Sequence, residues 1–238
     1  MPRFSIYLAR KVVEVNAFFP STEEFCRDYL TKAIPDCSVS ILREDLNKEY
    51  FLDLNITNDE AAEISALQRK LARLFIDYNA ILFHGVTVVV DRKAFLFTGP
   101  SETDVFNHAR LWLDIISGSY ILNADKAFLR MQSYVSVYGT PWCGKEGLRV
   151  NEIMMLDSIC IIERDATNHI HPVTSGKDTL DALRPQVYRL NDASLFMKSA
   201  NLLEKMIQTV KLYRLGVNND LDAAYLSYKT MLFSSSWI

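Results

Sequence analysis

No apolar run in the 238-residue sequence approaches the ~18 residues that a membrane-spanning helix needs, so no membrane span is expected. Cysteine is scarce. Its four copies, Cys26, Cys37, Cys143 and Cys160, form no C-x-x-C pair and sit beside no histidine at metal-ligand spacing. That pattern excludes a zinc ribbon and a disulfide scaffold and leaves free thiols. Neither charge sign is in excess: the net charge of −3 gives no broad basic field for nucleic acid or anionic lipid. The opening Met-Pro-Arg-Phe-Ser has no apolar stretch, so a signal peptide is not expected and a reducing cytoplasm is the expected location. Internal repeats, low-complexity tracts and Gly/Ser linkers are missing too.

Glycine is also sparse. Of eight copies, Gly85, Gly99, Gly139, Gly144 and Gly147 fall in one middle stretch, which marks the middle as the place where backbone comes close to something. With 49% hydrophobic and 23% charged residues, the chain can bury a sizeable core as one large domain or a domain with a small partner.

The first 80 residues read as a small α+β segment. Phe4 to Ala9 and Val12 to Val15 alternate as a hairpin, Ser21 to Ala33 as a helix capped by Ser21, and Cys37 to Leu42 as a strand. Thr57 is expected to cap a long helix whose Ile64, Leu67, Leu71, Leu74 and Phe75 recur at helical spacing. From 81 to 238 the chain turns strand-rich. Ile81–Phe83, Val86–Val90, Phe95–Phe97, Tyr120–Leu122, Phe128–Met131, Tyr134–Tyr138 and Ile159–Ile162 are β-branched or aromatic runs. A helix is expected from Ser101 through Ser117. Later helices are expected over Asp178–Leu183, Ala193–Val210 and Asp220–Met231, with a strand at Leu212–Leu215. This order predicts an α/β (mixed α+β) fold: a curved mixed sheet with flanking helices behind a small α+β segment.

Several middle motifs stand in a telling order: Phe83-His84-Gly85, Ala94 to Ser101, His108-Ala109-Arg110-Leu111-Trp112, Asn123-Ala124-Asp125-Lys126, Tyr138 to Gly147, and Ile161 to Arg164. Together with Leu212 to Leu215 and the closing helix, this order resembles the small bacterial proteins of the HPr serine kinase-like, phosphoenolpyruvate-carboxykinase-like P-loop family. The resemblance covers most of the chain, and Tyr138 to Gly147 is its most specific piece. It implies a P-loop core, ATP with magnesium, phosphate transfer to a serine hydroxyl of a peptide, protein or small molecule, and self-association into a homo-oligomer.

In that family the loop runs Gly-x-Ser-Gly-x-Gly-Lys-Ser-Thr, its backbone wrapping the phosphates, its lysine on the β/γ-phosphates and its hydroxyl on magnesium. Here Gly99 and Ser101 remain. Glu102 and Asp104 replace the two later glycines, Val105 the lysine, Phe106 the magnesium hydroxyl and Asn107 the next threonine. At ~5 Å and an effective dielectric of about 20, each acid would repel one phosphate charge by roughly 3 kcal/mol. The same residues suit a helix start: Ser101 as N-cap, Asp104 in a capping-box position, acids in the first turn, and Val105, Ala109, Trp112, Leu113 and Ile116 as a core stripe. The expectation is therefore a degenerate nucleotide loop on a protein that binds a peptide or protein, with neither ATP nor a metal as resident cofactor.

The remaining site candidates follow from the resemblance and from residue chemistry. Asp125 matches the family's acidic position, a base or metal-organising carboxylate, and is equally a turn aspartate pairing with Lys126. His84 faces the site in the family and is equally a structural histidine. Thr103, Gly144, Lys145, Arg149 and Arg164 complete the ligand-binding set, with Thr140 to Gly147 open between a ligand loop and a structural turn, and Trp142 between a ligand surface and the core. A cation held by Glu102, Asp104, Asp125, His84 and His108 is a weaker alternative. His169 and His171 are expected in an exposed polar turn.

Overall fold

Alternation from Arg3 to Asn16 folds as expected. Strands β1 (Arg3–Leu8) and β2 (Lys11–Asn16) pair antiparallel, with Ile6, Leu8, Val13 and Val15 buried. Their two-residue turn, Ala9-Arg10, has φ of 47° and 61°, the left-handed pair that matches strand twist, reached here without glycine or asparagine. The structure is a computed structural model that describes residues 1–218 and 220–233, and it divides into two units, Met1–Tyr78 and Asn79–Ile238.

In the first unit the helix expected over Ser21 to Ala33 is much shorter. Helix α1 spans only Pro20–Phe25, with Pro20 in its first turn. Cys26, at φ −90° and ψ 6°, then leads into a 3-10 turn at Arg27–Tyr29 and strand β3 (Leu30–Thr31), which pairs with β1. Burying Tyr29 and pairing two residues outweigh continued helix. The start of α1 is fixed from a distance: the buried Glu63 carboxylate accepts from Phe18 N–H (2.5 Å), Phe19 N–H (3.0 Å) and Thr22 Oγ1 (2.6 Å). Strand β4 (Cys37–Ser40) runs parallel to β2, giving the sheet order β3-β1-β2-β4. Helix α2 (Arg43–Leu52) had no sequence signal; its Asp45 and Glu49 meet Arg69 of helix α3 (Asp59–Ile76) at 3.2 and 2.5 Å. Asn58, not Thr57, caps α3, accepting from Ala61 N–H.

The second unit holds one nine-stranded mixed sheet. Its elements in chain order are β5 (Ala80–His84), β6 (Val86–Val90), β7 (Lys93–Thr98), α4 (Glu102–Ile115), β8 (Tyr120–Asn123), β9 (Lys126–Met131) and β10 (Val135–Tyr138). There follow β11 (Ile153–Arg164), β12 (His169–Pro172), α5 (Lys177–Leu183), α6 (Ala193–Ile207), β13 (Lys211–Val217) and α7 (Leu221–Phe233). The strand order is β5-β9-β10-β11-β7-β6-β8, with β13 also on β11 and β12 on β13. β11 runs parallel to β7 and β13 and antiparallel to β10.

Helices cover both faces. Val105, Ala109 and Trp112 of α4 pack with Ala223, Ala224 and Met231 of α7 over Phe95, Phe97 and Cys160. On the other face Leu183 of α5 and Leu203, Met206 and Ile207 of α6 pack over Leu96, Leu129, Val137 and Ile159. The fold is thus mixed α/β. Among the described residues no helix is long and apolar enough to cross a membrane.

Candidate functional site

The site is built where β5 and β7 end and β9 begins. Thr98, the last residue of β7, donates from Oγ1 to the carbonyl of His84 at the end of β5 (2.9 Å), and Gly85 N–H donates to the carbonyl of Asp125 just before β9 (2.8 Å). His84, Asp125 and Lys126 therefore stand together, facing the first turn of α4 across a cavity of about 330 Å³. Glu102, Thr103, Phe106, Arg110, Lys145 and Glu146 form the rest of its principal wall.

Asp125 is the electrostatic centre. Lys126 Nζ lies 3.0 and 2.7 Å from its two oxygens, and His84 Nε2 is 3.2 Å from one of them. Burial alone would raise the carboxyl's pKa, but His84 and Lys126 together hold it below its ordinary value. His84 is pushed the other way: the bond to Asp125 raises its pKa above the usual imidazole range, against burial, and Gln186 Oε1 at 3.1 Å from Nδ1 adds to the rise. Glu102 also stands 3.5 Å from His84 Nε2. The cluster is a charge-compensated knot, with basic side chains (His84, Lys126, Lys145, Arg110) and carboxylates (Glu102, Asp125, Glu146) in near balance.

Across the cavity the chain has a helix start in place of an open loop. Ser101 has extended φ and ψ of −110° and 106°, and its Oγ accepts from Asp104 N–H at 3.2 Å. Val105 N–H bonds back to the Ser101 carbonyl at 3.1 Å, so the first helical turn closes at once. The buried Asp104 carboxylate pairs with the exposed Arg164 at 3.3 Å. Val105 is 4% exposed and packs in the core.

The anticipated residues thus divide. His84, Thr103, Asp125, Lys126, Gly144 and Lys145 share the cavity. Gly144, at φ 66°, turns the chain so that it passes Asp125, where a Cβ would sit 3.3 Å from the aspartate's own Cβ. Ser101, Asp104 and Arg164 cap and pin α4 instead of presenting donors to a ligand. Gly99 serves the fold: a Cβ there would lie 2.3 Å from the Ile162 carbonyl of β11, so only glycine lets the chain leave β7 this close to its neighbour. Arg149 turns away, its Nη1 at 3.2 Å from Cys143 Sγ.

Thr140 to Cys143 form a buried structural turn, where Asn123 Nδ2 donates to the Thr140 carbonyl (3.0 Å) and Lys126 N–H to the Trp142 carbonyl (3.1 Å). Trp142 is core, while residues 144–147 are exposed. The cation alternative loses two of its ligands. Asp104 is committed to Arg164, and His108 lies fully buried at 2.9 Å from Ser227 Oγ. No cluster of three His, Cys, Asp or Glu side chains suited to a metal occurs among the described residues. Gln186, Phe106 and Arg110 were not anticipated at the site. Gln186 reaches His84 from 102 residues away and carries no local signal, whereas Phe106 and Arg110 sit four apart on α4 and were readable from its period.

A second, larger cavity of about 630 Å³ lies between α5 and α6, lined by Val187, Tyr188, Leu190 and Phe196 with Arg184 and Arg189 at its polar side. No family model matches the chain, and no curated protein matches it.

Proposed function

We propose that the chain is a degenerate relative of the HPr kinase-like P-loop proteins that binds a peptide or protein segment at the His84–Asp125 cavity and no longer transfers phosphate from ATP. The observation that carries this reading is the closed first turn of α4. The Ser101 cap consumes the Asp104 N–H, and the place of the loop lysine belongs to Val105 in the core. A triphosphate would find neither the fixed cation nor an open run of backbone donors. It would meet Glu102 as well, while the cavity's alternating charges and the half-buried Phe106 suit a segment carrying both charge signs and an apolar side chain. A reducing cytoplasm is the matching location, supported by four cysteines that form no disulfide among the described residues.

Isothermal titration with Mg-ATP tests this. The expected outcome is no binding tighter than millimolar; micromolar affinity overturns the reading. One feature favours the alternative, a phosphotransferase acting on a serine hydroxyl: the Asp125 carboxylate remains paired with His84 at 3.2 Å in an accessible cleft. Transfer from labelled ATP that disappears in Asp125→Asn would establish that alternative.

A further inference from the structure

His169 and His171 lie on a strand, not in the turn their polar surroundings suggest. β12 pairs antiparallel with β13, placing His169 opposite Gly216 and His171 opposite Arg214. A strand's two-residue period sends both side chains to one face. Both are exposed, and their rings stand parallel, 3° apart in plane and 6.1 Å between centroids.

The His169 ring is set in place by its neighbours. His169 Nδ1 lies 3.1 Å from the Thr167 carbonyl, which can only accept, so the proton sits on Nδ1 and Nε2 keeps its lone pair. That is the arrangement of a metal-ligating histidine, whose far nitrogen donates to a carbonyl while the near one coordinates. The absence of a side chain on Gly216 makes room for it: a Cβ there would come within 2.3 Å of His169 Cε1. The Asp165 side chain stands beside the same space over Gly216 and adds a negative charge near the ring. Arg214 is the adverse neighbour, and its guanidinium is engaged by Glu163 and the Asp178 carbonyl.

We propose that His169 and His171 form a two-imidazole chelate on the outer face of β12 for a borderline divalent transition ion of the zinc, nickel or copper class. Nitrogen ligands at about 2.0–2.1 Å from one ion stand about 3 Å from each other. Rotation of the exposed His171 about its side-chain bonds closes that gap without moving the strand and leaves His169 on its Thr167 contact. With no third protein ligand, water fills the remaining positions and affinity is micromolar. The site is independent of the His84–Asp125 cavity and of the reading given to it.

Zinc chloride titrated calorimetrically into the full chain at neutral pH is expected to bind one ion per chain. Affinity should fall roughly ten-fold or more in His169→Ala and in His171→Ala and vanish in the double variant. Sub-stoichiometric copper should broaden the amide resonances of Ile170 and Gly216 before others. Binding unchanged in the double variant, or none short of millimolar zinc, overturns the proposal. Circular dichroism is expected to be the same for all variants, since both side chains are on the surface.

Discussion

His84 and Asp125 move each other's proton affinities in opposite directions, and the signs give a direct experiment. The histidine's raised pKa stabilises the fold below about pH 6.5, and that contribution is lost as pH rises through the folded-state value. The aspartate's lowered pKa stabilises it above about pH 3.9, and that contribution is lost as pH falls. Both are present together only between those limits. In Asp125→Asn the largest upward pull on His84 disappears, while burial and the nearby Lys126 still press its pKa down. Its NMR titration midpoint should therefore drop from above the ordinary imidazole value to below it; a midpoint that stays high would mean that Gln186 and Glu102, not Asp125, hold the proton. His84, Asp125 and Lys126 were each singled out in the sequence, the first two by the resemblance and the last as the neighbour of Asp125; the β5–β9 register that sets His84 opposite Lys126 was not legible there. What was not legible is the commitment of each charge. Asp104 and Arg164 read as ligand contacts until packing joined them across 60 residues, and Arg149 turned to a thiol that spacing alone could not place beside it.

At the level of elements, α4 and α7 are joined through one hydroxyl, Ser227, inside an apolar layer. Ser227 Oγ receives Trp112 Nε1–H at 2.8 Å, lies 2.9 Å from His108 Nε2, and donates to the Ala224 carbonyl at 3.0 Å. Burial pushes the His108 pKa down to about 4. The unfolded chain therefore takes up this proton near pH 6.5, long before the folded chain does. Stability should decline as pH falls between these values, by about 3 kcal/mol over the whole window. His108→Phe keeps an aromatic ring against Phe97 but titrates nothing. Its melting temperature should be lower at neutral pH and noticeably flatter across the acid range. An equally steep acid slope in the variant would assign the sensitivity elsewhere. The core stripe of α4 was readable from its helical period, and Val105, Ala109, Trp112 and Ile116 are indeed buried. Helix α2 was not readable, since its Asp45 and Glu49 face inward to Arg69 and break the apolar rhythm that sequence reading depends on. Nor was the early end of α1, where Tyr29 is buried and Leu30 and Thr31 pair with β1.

For the molecule as a whole, β11 is the organising strand of the second unit. Sequence reading found only Ile159 to Ile162, the stretch buried on both faces. The register shift between Leu156 and Ser158 and the half-exposed Ile153 to Met155 hid the rest. Two of its partners, β7 and β13, lie far away along the chain, so the pairing that fixes its centre does not form locally. Hydrogen exchange should find the amides of Ile159 to Ile162 among the slowest and those of β12, which pairs only with β13, among the fastest. Fast exchange throughout β11 would remove it from the stable core.

The shared direction of β7, β11 and β13 has one more outcome. The turns leaving all three emerge on the same rim, where α4 opens under Ser101 and α7 opens with Ala223 N–H held by Asp220 at 3.0 Å. Two helices thus begin side by side with their electropositive ends already quenched by the chain's own oxygens, and a newcomer seeking a negative-charge berth on that rim must first evict a resident.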